Sequence, residues 1–177
     1  MRFARDAIHF DAMNAPSFAF MVRHPAHLVA LGFGTGLSPV APGTIGTLVA
    51  FPIAWFLNSH AGTAAWLIAI VAVALVGGWC AQITGRDLRV ADHGAIVIDE
   101  IAAFLFVLFL AGNSTIRQIA AFVLFRVFDI VKPPPIRQID RATHGALGVM
   151  GDDFVAACYT LVVLSIATRI YEALVPS

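Results

Sequence analysis

A chain of 177 residues with 59% hydrophobic and 12% charged side chains is far from the make-up of a soluble domain, which carries about 45–50% apolar and roughly 25% charged residues. Eleven basic and eleven acidic side chains cancel, which excludes the broad positive field through which proteins hold nucleic acid. Length and composition together describe one domain that lives in a lipid bilayer.

Residues 1–27 mix Arg2, Arg5, Asp6, Asp11 and Arg23 with scattered Phe and Met and lack the unbroken apolar core of a signal peptide. They are expected to form a cytoplasmic tail that can lie on the membrane surface through Phe10, Phe18 and Phe20. Residues 28–177 are then the membrane-embedded domain. A glycine-rich stretch follows, with Gly32, Gly34 and Gly36, then Ser38-Pro39, then Gly43-Thr44-Ile45-Gly46-Thr47 leading into a helix. Backbone amides near a helix start can hold phosphate, which makes Gly43 and Thr44 candidates for that role. Glycines that let membrane helices pack closely give the same pattern.

Residues 44–57 are a short apolar run holding Pro52, and residues 64–81 run for 18 positions without a formal charge, close to the ~20 that a helix needs to cross the hydrocarbon core. The uncharged segment 58–63 between them implies a tight helical hairpin. Residues 86–93 read as a charged loop. Three further apolar helices are expected at 94–112, 119–131 and 154–168, interrupted by Asp99-Glu100 in the first and by Arg126 and Asp129 in the second. The segment 132–153, rich in Pro, Gly and charge, is too polar to cross. No strand-like alternation survives the apolar background, so the expected class is all-α, as a backbone in lipid requires. With the amino terminus inside and five crossings, eight of the eleven Lys and Arg fall on the cytoplasmic side, Arg117 and Arg169 fall outside, and Arg126 lies within a helix. Runs this short can also be helices that enter without crossing.

With that topology Asp87, Asp92, Asp99, Glu100, Asp129, Asp140, Asp152 and Asp153 all gather toward the cytoplasmic face. A carboxylate at the membrane edge costs at least ~2.5 kcal/mol unless partnered, so each is a functional candidate. Asp99 and Glu100 have no Lys or Arg three or four residues away, so their charge needs a tertiary partner or a cation. Arg126, Asp129 and Lys132 recur at spacing three, which puts them on one helical face as an ion ladder or as a metal ligand beside a phosphate clamp. Lys132 is the only lysine. Pro133, Pro134 and Pro135 then end that helix. Asp152 and Asp153 are expected to open the last helix, where capping explains one acid but not two. Hard oxygen donors without a Cys or His set point to Mg²⁺ or Mn²⁺. His93 and His144 are candidate acid/base groups in the two cytoplasmic loops. Cys80 and Arg86 match the Cys-x5-Arg spacing of cysteine phosphatases, but Cys80 ends an apolar helix and lacks a strand-to-helix phosphate cradle.

Taken in order, Gly32-Phe33-Gly34-Thr35-Gly36-Leu37-Ser38-Pro39, Pro42-Gly43-Thr44-Ile45-Gly46-Thr47-Leu48, Asp99-Glu100, Phe125-Arg126-Val127-Phe128-Asp129-Ile130-Val131-Lys132-Pro133 and His144-Gly145-Ala146-Leu147-Gly148-Val149-Met150-Gly151-Asp152-Asp153 resemble the phosphatidylglycerophosphatase A family. The resemblance implies an all-α integral membrane bundle of about six helices around a central helix, multi-pass in the bacterial inner membrane with its site facing the cytoplasm. It also implies a Mg²⁺ requirement and hydrolysis of phosphatidylglycerophosphate to phosphatidylglycerol and phosphate. The expected site has Asp99, Glu100, Asp129, Asp152 and Asp153 around Mg²⁺, with Lys132 and Arg126 or Arg141 on the phosphoryl oxygens. Thr47 and Ala146 stand where a Ser and a second Gly are common, and Gly151 precedes the aspartate pair; the acidic positions are intact. Two rival classes fit less well. An alcohol phosphotransferase would show Asp-Gly-x-x-Ala-Arg, and a cation or proton transporter would place its acids mid-membrane on inverted repeats.

Overall fold

The computed structural model of the chain describes residues 15–90, 93–134 and 146–174, with side chains from Met150 onward in the last segment. Every regular element among them is helical: α1 (Phe18–Met21), α2 (Pro25–Ala30), a 3₁₀ segment (Gly32–Leu37), α3 (Pro42–Leu48), α4 (Ala50–His60), α5 (Thr63–Leu88), α6 (Ile98–Ala111), α7 (Thr115–Val131) and α8 (Ala146–Leu174). The all-α expectation holds, with eight α-helices among the described residues where about six were expected. Residues 18–27, placed in a surface tail by sequence, are largely helical, and Met21, Ala26 and His27 are buried.

Three boundaries differ from the apolar runs for identifiable reasons. The run 44–57 divides at Val49 into α3 and α4. Pro52 lacks the amide that would bond to the Leu48 carbonyl, and its ring crowds that carbonyl, so α3 ends there. Helix α5 continues past the uncharged stretch to Leu88, so Arg86 and Asp87, expected in a loop, occupy its last turn. The Val90 amide closes onto the Gly85 carbonyl (3.0 Å) around Arg89 in the left-handed conformation, a helix stop of the Schellman type. Helix α8 starts at Ala146, not at residue 152. Asp152 and Asp153 therefore lie in its second turn and do not cap it. Glycine lowers helix propensity by only ~1 kcal/mol, so Gly148 and Gly151 are carried within the helix.

The contacts fix an up-and-down arrangement. Trp66, near the start of α5, meets Phe109 near the end of α6, whereas Gly77 farther along α5 packs on Ile98 at the start of α6. The two helices are therefore antiparallel. Phe51 of α4 and Phe122 and Phe125 of α7 surround Phe104 of α6 at ring separations of 5.3–5.8 Å, and Phe106 of α6 meets Phe154 of α8. Helix α6 is buried on nearly every side, through Ile101, Ala102, Ala103, Phe104, Leu105 and Val107. The segment leading into it is closely approached: a Cβ on Gly36 would strike the Ala95 carbonyl, and one on Gly46 would come within 2.6 Å of the Val97 side chain. These glycines are needed for close packing.

Helices α5 and α8 are long and apolar enough to cross a membrane, by length and composition. At 1.5 Å per residue α5 is about 39 Å long, longer than the ~30 Å hydrocarbon core, whereas the 14 residues of α6 reach only about 21 Å. The outer faces are apolar: Leu67, Ile68, Leu75 and Trp79 on α5, Ile116, Ile119, Val123, Val127 and Ile130 on α7, and Val162, Ile166 and Ile170 on α8 are exposed. A soluble monomer rarely shows so much contiguous apolar surface.

Candidate functional site

The start of α6, the end of α7 and the early turns of α8 meet at one end of the molecule, and the acids expected from sequence meet with them. One carboxylate oxygen each from Asp99, Glu100 and Asp153 lies within 4.8 Å of the others. Asp129 and Asp152 are close enough to act on Asp153 electrostatically. Asp99, Asp152 and Asp153 are buried, and Glu100 and Asp129 are nearly so.

Two cations enter this acidic cluster. Arg126 Nη1 donates to Asp129 Oδ2 at 2.8 Å, stands 3.6 Å from Glu100 Oε1 and donates to Thr47 Oγ1 at 3.3 Å. The Thr47 hydroxyl in turn donates to the Gly43 carbonyl at 2.7 Å, which ties α3 to α7. Lys132 Nζ donates to Asp152 Oδ2 at 2.5 Å. Sequence spacing had put Arg126, Asp129 and Lys132 on one face. The structure keeps Arg126 and Asp129 together, but Lys132 adopts the left-handed conformation (φ 44°) just past the end of α7. That reversal carries its side chain off the α7 face toward α8.

Gly43 sits against the Glu100–Arg126 pair: a Cβ there would collide with Glu100 Oε1 and lie 3.1 Å from Arg126 Nη2. Within this pair two buried atoms, Glu100 Oε2 and Arg126 Nε, have no hydrogen-bond partner among the described residues. Buried polar atoms are nearly always satisfied, and leaving one unmade costs about 1–3 kcal/mol, more when charged. An open carboxylate oxygen calls for a cation, and an open guanidinium N–H calls for an anion or another acceptor. Hard oxygen donors from Asp99, Glu100 and Asp153 gathered in this way suit a hard divalent cation. The residues present thus fit a divalent cation next to an anionic ligand.

Residues 28–168 match the family model described as phosphatidylglycerophosphatase A. The chain belongs to the phosphatidylglycerophosphatase A family. Membership makes it an enzyme of the phosphatase class. A phosphatidylglycerophosphatase A of Escherichia coli strain K12 is 41% identical over 134 residues, covering 75% of this chain and 77% of that protein. One from Haemophilus influenzae is 40% identical over 152 residues, covering 85% and 93%. A Bacteroides thetaiotaomicron protein, provisionally named a phosphatidylinositol-3-phosphatase, is 35% identical over 163 residues, covering 88% and 97%. No solved structure matches the chain. All five clustered acids lie inside the stretch matched to the phosphatidylglycerophosphatase A family.

The other expected residues are placed as follows. Thr44 is half-buried in the first turn of α3. His93 is buried, and its Nδ1 accepts the Ala95 amide at 3.1 Å, shaping the turn that leads into α6. Arg141 and His144 lie outside the described residues, as do Asp92 and Asp140. Cys80 is buried in the middle of α5, one helix with Arg86, and forms no phosphate cradle with it.

Sequence reasoning missed two links. Thr47 as an anchor for Arg126 has no local signal, being 79 residues distant. His27 Nδ1 donates to the Phe20 carbonyl (3.0 Å) while Nε2 meets Asp87 Oδ2 (2.8 Å). This pair docks α2 on the end of α5, and the sequence reading had split it between a tail and a loop.

Proposed function

We propose that the chain hydrolyses the terminal phosphate monoester of phosphatidylglycerophosphate, giving phosphatidylglycerol and inorganic phosphate, in the bacterial inner membrane with its acidic end at the cytoplasmic boundary. The observation that carries this reading is the adjacent pair of unfilled atoms, Glu100 Oε2 and Arg126 Nε. One is suited to a cation and the other to a phosphoryl oxygen, on two side chains that approach to 3.6 Å beside the carboxylate cluster.

In this reading Asp99, Glu100 and Asp153 hold Mg²⁺, joined by Asp129 and Asp152, which also hold the two cations in place. When bound, the ion supplies charge neutralisation at phosphoryl oxygens and acidifies a water ligand. Arg126, fixed by Asp129 and Thr47, directs its open Nε toward a phosphoryl oxygen. Lys132, fixed by Asp152, adds a second positive charge. Gly43 leaves room beside them, and its α3 neighbour Thr44 offers a hydroxyl. Both cations stabilise negative charge that grows in the transition state.

The two spanning-length helices and the exposed apolar surface support the membrane setting. In this reading a multi-pass bundle around the short, enclosed α6 would hold the acids at one lipid boundary, so that the acyl chains of the substrate stay in lipid while its phosphate reaches them. Arg23, Arg86, Arg89 and Lys132 belong to that same end, consistent with a cytoplasmic face. The test is phosphate release from phosphatidylglycerophosphate by purified protein in detergent, with Mg²⁺ and with chelator. Activity that survives chelation removes the metal from the reading, and turnover of phosphatidylinositol 3-phosphate in preference to phosphatidylglycerophosphate replaces the headgroup.

A further inference from the structure

The end of the molecule opposite the carboxylates has a cavity of about 610 Å³, open to the surface. It exists because α6 stops at Ala111, where Gly112 turns the chain with φ 72°, while α8 runs on to Leu174. The last turns of α8 therefore stand beside no residue of α6. Leu110, Leu161 and Leu164 form apolar walls, and Arg117, Arg169 and Glu172 line the same cavity. The Arg117 guanidinium folds toward Gly112, 3.9 Å from where a Cβ would be. Counting along the helices at 1.5 Å per residue, Leu110 is about 15 Å from Glu100 and Arg169 about 24 Å from Asp153. This cavity is not part of the acidic site.

We propose that it binds the phosphodiester headgroup and upper acyl chain of an anionic phospholipid in the leaflet opposite the active site. The lining is amphipathic in the same sense as a lipid, with leucines beside polar side chains. Its charge is also matched: two arginines and one glutamate leave a single positive charge, which one phosphodiester neutralises. Arginine's planar fork suits phosphate oxygens better than a point charge would. Arg117 and Arg169 are the two basic residues that the sequence topology puts on the far side, where an excess of positive charge is otherwise avoided. A lipid anion gives that departure a reason.

The inference shares the membrane premise of the proposed function but not its chemistry, and the experiment separates the two. Protein purified in detergent is mixed with equal amounts of phosphatidylmethanol, an anionic phosphodiester that is not the product, and phosphatidylcholine, and bound lipid is read by native mass spectrometry. The expected result is a preference for phosphatidylmethanol that falls about tenfold or more in Arg117→Gln/Arg169→Gln, as loss of charge-assisted hydrogen bonds predicts. Preference persists in Asp153→Asn, whose active site is altered, and rises in Glu172→Gln. Equal binding of both lipids, or a preference unchanged in the double variant, overturns the proposal. If the double variant does not fold, an unchanged preference in Glu172→Gln overturns it. Displacement of the lipid by inorganic phosphate alone would show a free-anion site in place of a lipid site.

Discussion

Asp153→Asn separates a site built for a cation from one built as a buried ion-pair network, because the two give opposite signs. The change is isosteric and removes one negative charge from a cluster in which carboxylate oxygens of Asp153 and Glu100 lie within 4.8 Å. With an effective dielectric of about 20, two full charges at that separation repel by about 3.5 kcal/mol. Arg126, 3.6 Å from Glu100, offsets part of this, leaving on the order of 1–2 kcal/mol to be relieved. In chelator, then, Asp153→Asn should melt higher than the parent, by about 2–4 °C for each kcal/mol. With Mg²⁺ the order should reverse, since the parent gains binding energy that the variant has largely lost, and phosphate release should disappear. The assay is a thermal melt of detergent-solubilised protein with and without Mg²⁺, alongside phosphate release. A variant that melts lower in chelator would mean that the Asp153 carboxylate is already neutralised in the resting fold, and the argument for an ion there would fail.

Three further outcomes follow from the same geometry. Lys132→Gln should cost about 2 kcal/mol by leaving the buried Asp152 carboxylate without its lysine, and Lys132→Gln/Asp152→Asn should regain much of that in a double-mutant cycle of melting temperatures. Arg126→Lys keeps the charge but has no counterpart to the open Nε, so turnover should fall about tenfold or more while the melting temperature shifts far less. Gly43→Ala and Gly36→Ala should part company. The first presses on the Glu100 carboxylate and should lower activity in a protein that still folds, whereas the second strikes the Ala95 carbonyl, which cannot swing away, and should destabilise by about 1–3 kcal/mol in a melt.

The sequence made the class and the acids legible because an uncharged 18-residue run has few readings, and a buried acid pair with no local cation announces a tertiary partner. Helix ends were less legible. The second turn of α8 was mistaken for its start because Gly148, Gly151 and two aspartates look like loop when read locally, although burial against α6 and α7 overrides those propensities. Lys132 was misplaced for a subtler reason. Spacing three predicts a shared face only while the helix continues, and a left-handed residue at the stop sends the side chain elsewhere. The Thr47–Arg126 and His27–Asp87 links join residues 79 and 60 positions apart, a separation that one sequence does not encode in any local pattern.

Helix electrostatics accounts for part of how a largely apolar fold holds these acids together. Asp99 and Glu100 lie in the first turn of α6, and the Glu100 amide donates to Asp99 Oδ1 at 3.0 Å; a helix start carries partial positive charge that favours acids there. Asp152 and Asp153 lie in the second turn of α8, beyond the first turn in which that effect is strongest. Lys132 sits just past the end of α7, where the carbonyl-bearing terminus favours cations, whereas Arg126 lies before the last turn. Because α6 and α8 run parallel and α7 runs against them, two positive helix ends and one negative end meet at a single boundary. Dipoles alone offset only about 0.3–1 kcal/mol per charge, up to ~2 kcal/mol when partly buried, less than the repulsion of one close carboxylate pair. Arg126 and Lys132 offset part of the charge that the fold gathers, and a divalent cation arriving with its phosphate would offset more.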